Sequence, residues 1–93
     1  MKYEIKPELE RILLRLKRKD KEAYVQIKTK IAEVVNSDPE HYKNLMYDLK
    51  SFKRVHIKKS FILIFKYDEE NQFISFWDYD HHDKIYKKKY LEI

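Results

Sequence analysis

Apolar residues recur at helical spacing in the first third of the chain. Pro7 stands where the first residue of a helix commonly lies. The apolar stripe that follows it comprises Leu9, Ile12, Leu13 and Leu16. This pattern predicts an amphipathic helix from Pro7 to about Arg18, after a short strand at residues 3–5.

A second apolar stripe predicts a second helix, for which Asp20 is a suitable N-cap. The stripe comprises Tyr24, Ile27, Ile31, Val34 and Val35. The sequence NSDP at residues 36–39 ends this helix, because it combines turn formers with a proline. The two helices form a predicted helical hairpin with a tight link, and residues 39–46 are predicted to add a further helical turn.

Beyond residue 50 the period of the pattern changes to two, which is typical of β-strands. On the first of these strands Val55 and Ile57 point one way, and the opposite face carries Phe52, Arg54, His56 and Lys58. The sequence FILIFKY at residues 61–67 is apolar on both faces, which favours a central strand. Residues 68–71 form a turn in which Asn71 takes the left-handed conformation, and residues 72–79 form the last strand.

The predicted order is therefore β-α-α-β-β-β, an α+β fold in which the helical hairpin packs on one face of an antiparallel sheet. A chain of 93 residues suits a single domain, residues 1–93, because two separate cores would bury too little surface. Hydrophobic residues make up 43% of the chain, which is enough to form that core despite 40% charged residues.

Composition excludes several classes of site. The chain has no cysteine, so disulfides and thiolate metal ligands are excluded, and it has no glycine, so glycine-rich phosphate-binding loops are excluded. No apolar run approaches the roughly 20 residues of a membrane span, and the N-terminus lacks the apolar stretch of a signal peptide, so we expect a cytoplasmic protein with no membrane partner. The formal charge of +5 makes a polyanionic partner plausible.

Three cations are predicted to form a row on the first hairpin strand. Residues on one face of a strand lie roughly 6.5 to 7 Å apart, so Arg54, His56 and Lys58 match the pitch of phosphates along a single-stranded nucleic acid. Arginine grips phosphate through its fork, lysine supplies a point charge and histidine carries a proton near neutral pH. The alternative is a solvated strand face whose lysines discourage edge-to-edge aggregation.

The segment WDYDHHDKIYKKKY at residues 77–90 contains two adjacent histidines. If the chain turns helical after Asp80, His82 and Tyr86 lie four residues apart and share a face, which favours proton transfer when that face meets His56. A metal site is disfavoured, because adjacent histidines diverge and zinc needs three or four convergent ligands. The remaining alternative is structural, with the histidines capping the strand end through Asp78, Asp80 or the backbone.

Residues 49–87, LKSFKRVHIKKSFILIFKYDEENQFISFWDYDHHDKIYK, resemble the C-terminal half of the RelE/ParE toxin superfamily. That family typically has a basic strand, a short turn, an apolar strand, a second hairpin strand and a histidine-containing segment that runs into a tyrosine. The element order resembles the same fold over essentially the whole chain. The resemblance implies the toxin of a type II toxin–antitoxin system.

RelE-like members are endoribonucleases that enter the ribosomal A site and cut mRNA by attack of the ribose 2′-hydroxyl, without metal or cofactor. The resemblance implies a catalytic set of Arg54, His56, Lys58, His82 and Tyr86. Neighbouring lysines are then candidate RNA contacts, namely Lys53, Lys59, Lys84, Lys87 and Lys88. The implied protein partner is a RelB-like antitoxin, a small and acidic protein that covers the basic row.

The chain departs from the family pattern at two positions. Many RelE proteins carry an arginine on the apolar strand where this chain has Ile62, and an arginine where it has His82. The nearby Lys59 and Lys84 are candidates to replace the missing charge, a role that their spacing does not establish. The departures leave two alternatives to an RNA-cleaving toxin: a ParE-like toxin that poisons DNA gyrase, and an RNA-binding module without catalysis.

Overall fold

Four strands, three α-helices and two short 3-10 turns make up residues 1–90, the part of the chain that the computed structural model describes. The elements in chain order are β1 Lys2–Ile5, α1 Pro7–Lys19, α2 Lys21–Val35, the first 3-10 turn Pro39–His41, the second 3-10 turn Tyr47–Leu49, β2 Lys53–Lys58, β3 Phe61–Asp68, β4 Phe73–His81 and α3 His82–Ile85. The last residues of the predicted domain, 91–93, lie outside the described part.

The strands form one sheet in the order β1-β4-β3-β2. The α+β class and the predicted order of the main elements are confirmed. The sheet is mixed rather than wholly antiparallel, because β1 runs parallel to β4 while β2, β3 and β4 form an antiparallel meander. Parallel neighbours need a long connection, and here the helical hairpin and the first two strands of the meander provide it.

The helical hairpin forms as the sequence predicts. Pro7 is the first residue of α1, and Asp20 caps α2 by accepting a hydrogen bond at Oδ1 from the backbone N–H of Ala23, at 3.2 Å. The backbone N–H of Asp20 also donates to the carbonyl of Leu16 at 2.7 Å and thereby closes α1. One residue therefore ends the first helix and starts the second, which explains the tight link between them.

Strand β3 is the central strand of the core, and its apolar residues pack on both faces of the sheet. Leu63 and Phe65 face the helices, where they pack in the core with α1 and α2. Ile62 and Ile64 face the other way and pack in a second cluster. That cluster also contains Leu45, Leu49, Phe52 and Ile85. The loop before β2 and helix α3 therefore meet on the face opposite the helical hairpin.

Local details differ from the sequence predictions in three places. The left-handed residue of the β3–β4 turn is Gln72, with φ 49°, rather than Asn71. Asn71 instead closes the turn, since its backbone N–H and its Nδ2 donate to the carboxylate of Asp68 at 3.2 and 2.7 Å. The predicted helical turn at residues 39–46 is only the first 3-10 turn, and β4 continues to His81. Within residues 1–90 no helix is long and apolar enough to cross a membrane.

Candidate functional site

The predicted cationic row on β2 contains two residues rather than three. Arg54 and His56 lie side by side on the face opposite the helices, with Nη1 of Arg54 3.3 Å from both ring nitrogens of His56. The strand pairing then shifts register, so that Lys58 lies opposite Phe61. Phe61 packs against the helix-side core, and paired residues project to the same side of a sheet. The prediction that Lys58 shares the face of His56 is therefore wrong.

Helix α3 brings His82 towards this pair. The backbone N–H of His82 donates to the carbonyl of Ser60 at 2.6 Å, which joins the start of α3 to the turn between β2 and β3. The predicted contact between His82 and Tyr86 is present, with ring centroids 5.1 Å apart. The hydroxyl of Tyr86 accepts a hydrogen bond from the backbone N–H of Met46 at 3.0 Å. The strand, the helix and the loop before β2 thus converge on one site.

The electrostatics of the site favour a neutral His56. Partial removal from water lowers the pKa of His56 below its ordinary value of 6.5, and the positive charges of Arg54 and of a protonated His82 lower this pKa further. The contribution of His82 is the smallest of these three effects. A histidine that stays neutral at pH 7 is able to accept a proton, so His56 suits the role of a base.

Replacing Arg54 by glutamine is expected to raise the pKa of His56, because the substitution removes a positive charge that disfavours the imidazolium. The two-dimensional NMR titration of the histidine ring protons measures this value directly. Lys58→Gln is the matched control, since it removes a cation from the same strand on the other side of the register shift. A pKa of His56 that is unchanged in Arg54→Gln would contradict this electrostatic account.

His81 has a structural role. Its Nδ1 accepts a hydrogen bond from the backbone N–H of Asp83 at 3.2 Å and thereby caps α3, and its ring contacts Phe61 at 5.6 Å between centroids. Capping through the backbone is one of the roles that the sequence left open for the histidines, and the backbone N–H of Asp83 is the partner of His81. Among residues 1–90, no three histidine, aspartate or glutamate side chains converge in a way that could hold a metal ion.

The five lysines predicted to contact RNA fall into two groups. Lys53 Nζ donates to the Tyr42 carbonyl at 3.1 Å and to Asn44 Oδ1 at 2.9 Å, so it fixes the loop before β2. Lys88 lies between two carboxylates, 2.8 Å from Asp78 and 2.9 Å from Asp80. Both lysines are already engaged within the fold. The other three are exposed to solvent, namely Lys59, Lys84 and Lys87.

Sequence reasoning missed two features near the site. Asp78 is 1% exposed and accepts hydrogen bonds from Lys88 and Tyr90, so it fixes the segment that follows α3. Tyr47 is exposed beside Tyr86, with ring centroids 6.3 Å apart. An aspartate at a buried position of the strand FISFWDYDH, directly after Phe76 and Trp77, was a signal for the first feature. The loop that carries Tyr47 has no periodic pattern, so the sequence contained no signal for the second feature.

No protein-family model matches this chain. The chain is 51% identical over 88 residues to a protein of Methanocaldococcus jannaschii named "Putative toxin RelE4", and the match covers 95% of this chain and 93% of the relative. The fold is similar to that of a YoeB/ParE toxin from Agrobacterium tumefaciens, with a TM-score of 0.75 and 14% identity over 88% of this chain and 99% of the other.

The fold is also similar to a chain of the YoeB-YefM complex from Staphylococcus aureus. That match has a TM-score of 0.72 and 12% identity, and it covers 88% of this chain and 97% of the other. At such low identity the two solved structures support the fold, whereas the archaeal relative is similar in sequence over nearly its whole length. The chain therefore belongs to the RelE/ParE toxin superfamily.

Proposed function

We propose that this toxin is an mRNA endoribonuclease that acts in the ribosomal A site of the cytoplasm and needs no metal or cofactor. The observation that carries the proposal is that Arg54 and His56 lie together on the face of the sheet against which α3 packs, and that α3 carries His82 with Tyr86 beside it. Two histidines and an arginine supply the groups that RNA transesterification requires.

The proposed reaction is attack of the ribose 2′-oxygen on the adjacent phosphorus. His56, whose lowered pKa keeps it neutral, takes the proton of the 2′-hydroxyl as the new phosphorus–oxygen bond forms. Arg54 holds the phosphate oxygens, on which negative charge develops. The bond from phosphorus to the 5′-oxygen breaks, and protonated His82 donates its proton to that leaving oxygen. The products are a 2′,3′-cyclic phosphate and a 5′-hydroxyl.

Tyr86 is proposed to stack on or orient the nucleotide beside this phosphate. Its hydroxyl is held by the backbone N–H of Met46, and its ring packs edge to face with that of His82. The side chain is therefore fixed at both ends rather than free to rotate. A fixed aromatic ring suits nucleotide binding, because unstacked bases of single-stranded RNA stack on aromatic side chains.

Many RelE proteins have an arginine on the apolar strand, and this chain has the uncharged Ile62 at that position. Ile62 is fully buried in the second cluster, where it packs beneath the loop before β2 and helix α3. Additional charge for the phosphate must come from other residues. Lys59 and Lys84 are exposed and flank the site along the chain, and we propose them as the further phosphate contacts.

The proposed chemistry is tested with a programmed ribosome and an mRNA that carries a single 2′-deoxy nucleotide at the mapped cleavage position. We expect cleavage of the unmodified mRNA to a 2′,3′-cyclic phosphate, detected by mass spectrometry, and no cleavage at the modified position. The same substitution one codon away is the control and leaves cleavage intact. Cleavage at a 2′-deoxy nucleotide would overturn the mechanism, because the proposed nucleophile is absent.

Gyrase poisoning is the second candidate function, and the buried Ile62 favours it, since a ParE-like toxin needs no catalytic arginine. The assay is direct: a gyrase poison accumulates covalent gyrase–DNA complexes with purified gyrase, whereas an mRNA endoribonuclease does not. A non-catalytic RNA-binding module would instead bind the programmed ribosome and leave the mRNA intact. The two neighbouring histidines favour the endoribonuclease over both, because neither alternative uses proton transfer.

A RelB-like antitoxin is the proposed partner, in keeping with the YoeB-YefM complex among the similar structures and with the formal charge of +5. We propose that it is acidic and covers the face that carries Arg54 and His56. Stoichiometric antitoxin is then expected to abolish cleavage. Its affinity for the toxin, measured by calorimetry, should fall several-fold as salt is raised, since screening weakens attraction between exposed charges. Full cleavage by the saturated complex would contradict this arrangement.

A further inference from the structure

A cavity of about 460 Å³ opens beside Tyr86, between the second 3-10 turn and the segment that follows α3. Its walls combine aromatic rings with charge, and they include Tyr47, Asp48, Phe52, Tyr86, Lys87 and Tyr90. Aromatic surfaces beside lysines are the means by which proteins bind single-stranded nucleic acids, because bases stack on the rings and phosphates attract the ammonium groups. The cavity is continuous with the proposed catalytic site, since Tyr86 contacts His82.

Tyr47 is the unusual residue of this cavity. The residue is 79% exposed and its ring meets only the edge of the site at Tyr86, so burial within the fold does not account for it. Its backbone has φ 58°, a left-handed conformation that is uncommon and costly for a residue other than glycine, asparagine or aspartate. An exposed aromatic ring held by strained backbone at the edge of a site is typical of a ligand-binding position.

We propose that this cavity binds the nucleobase of an RNA nucleotide that flanks the scissile phosphate, with Tyr47 as the stacking surface. The proposal rests on the proposed function, which places RNA at Tyr86. Lys87 is exposed and would contact the phosphate of the same nucleotide. The carboxylate of Asp48 would accept a hydrogen bond from an exocyclic amino group, so the cavity would prefer cytosine, adenine or guanine to uracil.

Binding of short RNA that cannot be cleaved tests the cavity without catalysis. Trinucleotides with 2′-O-methyl groups lack the proposed nucleophile, and their affinity for the full chain is measured by fluorescence anisotropy. We expect Tyr47→Ala to weaken binding about tenfold, as removal of one stacking partner typically does, and Tyr47→Phe to stay within about twofold of the wild type. Tyr3→Ala is the matched control, because Tyr3 is also exposed but lies on the edge strand β1.

Tyr47→Asn separates a ligand-binding role from a structural one. Asparagine tolerates the left-handed conformation better than tyrosine does, so the thermal midpoint of this variant should equal or exceed that of the wild type. RNA affinity should nevertheless fall as far as in Tyr47→Ala. A lowered midpoint that accompanies the loss of affinity in both variants would overturn the proposal in favour of a structural role for Tyr47.

Base preference gives an independent readout. Asp48→Asn replaces an acceptor-only side chain by one that also donates, so the affinity for uracil-containing trinucleotides should rise relative to those with cytosine. An unchanged preference would remove Asp48 from the proposal. If the wild type binds through Tyr47 but cleaves no mRNA, the cavity stands as a nucleobase-binding site without a scissile phosphate beside it, and the endoribonuclease proposal fails. If the wild type cleaves and Tyr47→Ala binds and cleaves equally well, the cavity proposal fails and the endoribonuclease proposal stands.

Discussion

Replacing His82 by alanine is expected to lower the rate of mRNA cleavage by at least about 100-fold, the lower end of the contribution that a general acid typically makes. The physical reason is that the departing 5′-oxygen would have to leave without a proton. The substitution should change little else, because the side chain is 41% exposed and its ring contacts mainly Tyr86 and the carboxylate of Asp83. The measurement is the single-turnover cleavage rate on a programmed ribosome.

The control for His82→Ala is His41→Ala, which removes another exposed histidine, one whose Nε2 lies 3.7 Å from the carboxylate of Asp38 at the start of the first 3-10 turn. Its cleavage rate and thermal midpoint should equal those of the wild type. His56→Ala should lower the rate within the same range of about 100- to 10,000-fold, because the 2′-hydroxyl then loses its base. Cleavage that persists at the wild-type rate in both His56→Ala and His82→Ala would eliminate the proposed acid and base.

The pH dependence of mRNA cleavage is a second test of His56 as the base. Since the pKa of His56 is lowered from 6.5, the base stays deprotonated at pH values where an ordinary histidine is already protonated. The acidic limb of the profile of kcat/KM should therefore lie below pH 6.5 in the wild type. In Arg54→Gln this limb should move to higher pH, in parallel with the pKa measured by NMR, whereas loss of phosphate binding alone would lower the rate without moving the limb.

Periodicity predicts the elements of this fold well because each depends on local spacing. The stripes of α1 and α2, the Asp20 cap and the doubly buried β3 are all visible in the sequence and present in the structure. The parallel pairing of β1 is not visible, since its partner Phe73–Phe76 lies far along the chain. Pairing over that distance is decided by the packing of the whole sheet.

The candidate site is predictable only in part, for a related reason. Alternation of period two assumes an unbroken ladder, and it places His56 correctly but fails at Lys58, where the register shifts. The contact between Tyr86 and Met46 joins residues 40 positions apart, so no spacing rule reveals it. The family resemblance indicates the roles proposed for His56 and His82, whereas the cavity at Tyr47 depends on backbone geometry that sequence patterns do not encode.

The segment after α3 is held to the sheet by a cluster around the buried Asp78. Its Oδ2 accepts hydrogen bonds from Lys88 Nζ and from the Tyr90 hydroxyl, both at 2.8 Å, and its Oδ1 accepts one from the backbone N–H of Tyr79 at 2.8 Å. Lys88 also pairs with Asp80 at 2.9 Å. Burial raises the pKa of Tyr90, and its hydrogen bond to Asp78 raises this pKa further. The lysine is thus the cation that compensates two carboxylates.

Replacing Lys88 by methionine is therefore expected to lower the free energy of unfolding by about 2 kcal/mol. Loss of one partner of a fully buried ion pair typically costs about 3 to 5 kcal/mol, because a charge is left buried without compensation. We expect a loss below that range, since the Lys88 side chain is 37% exposed and Asp78 keeps its hydrogen bonds to Tyr79 and Tyr90. Urea unfolding followed by tryptophan fluorescence measures the change, and Lys89→Met, which alters the exposed neighbouring lysine, should stay within about 0.5 kcal/mol of the wild type.

The pH dependence of the stability difference between Lys88→Met and the wild type shows whether that difference arises from charge. Burial raises the pKa of Asp80, but hydrogen bonding and attraction to Lys88 outweigh that effect and hold the pKa below its ordinary value of 3.8. A carboxyl with a lowered pKa stabilises the folded state above its unfolded-state pKa, and this stabilisation is lost as pH falls through the lower folded-state value. The difference in the free energy of unfolding between Lys88→Met and the wild type should accordingly become smaller below about pH 4. A difference in the free energy of unfolding that is constant from pH 7 to pH 3 would show that packing of the side chain, rather than its charge, holds this segment. Equal losses of unfolding free energy in Lys88→Met and Lys89→Met would lead to the same conclusion.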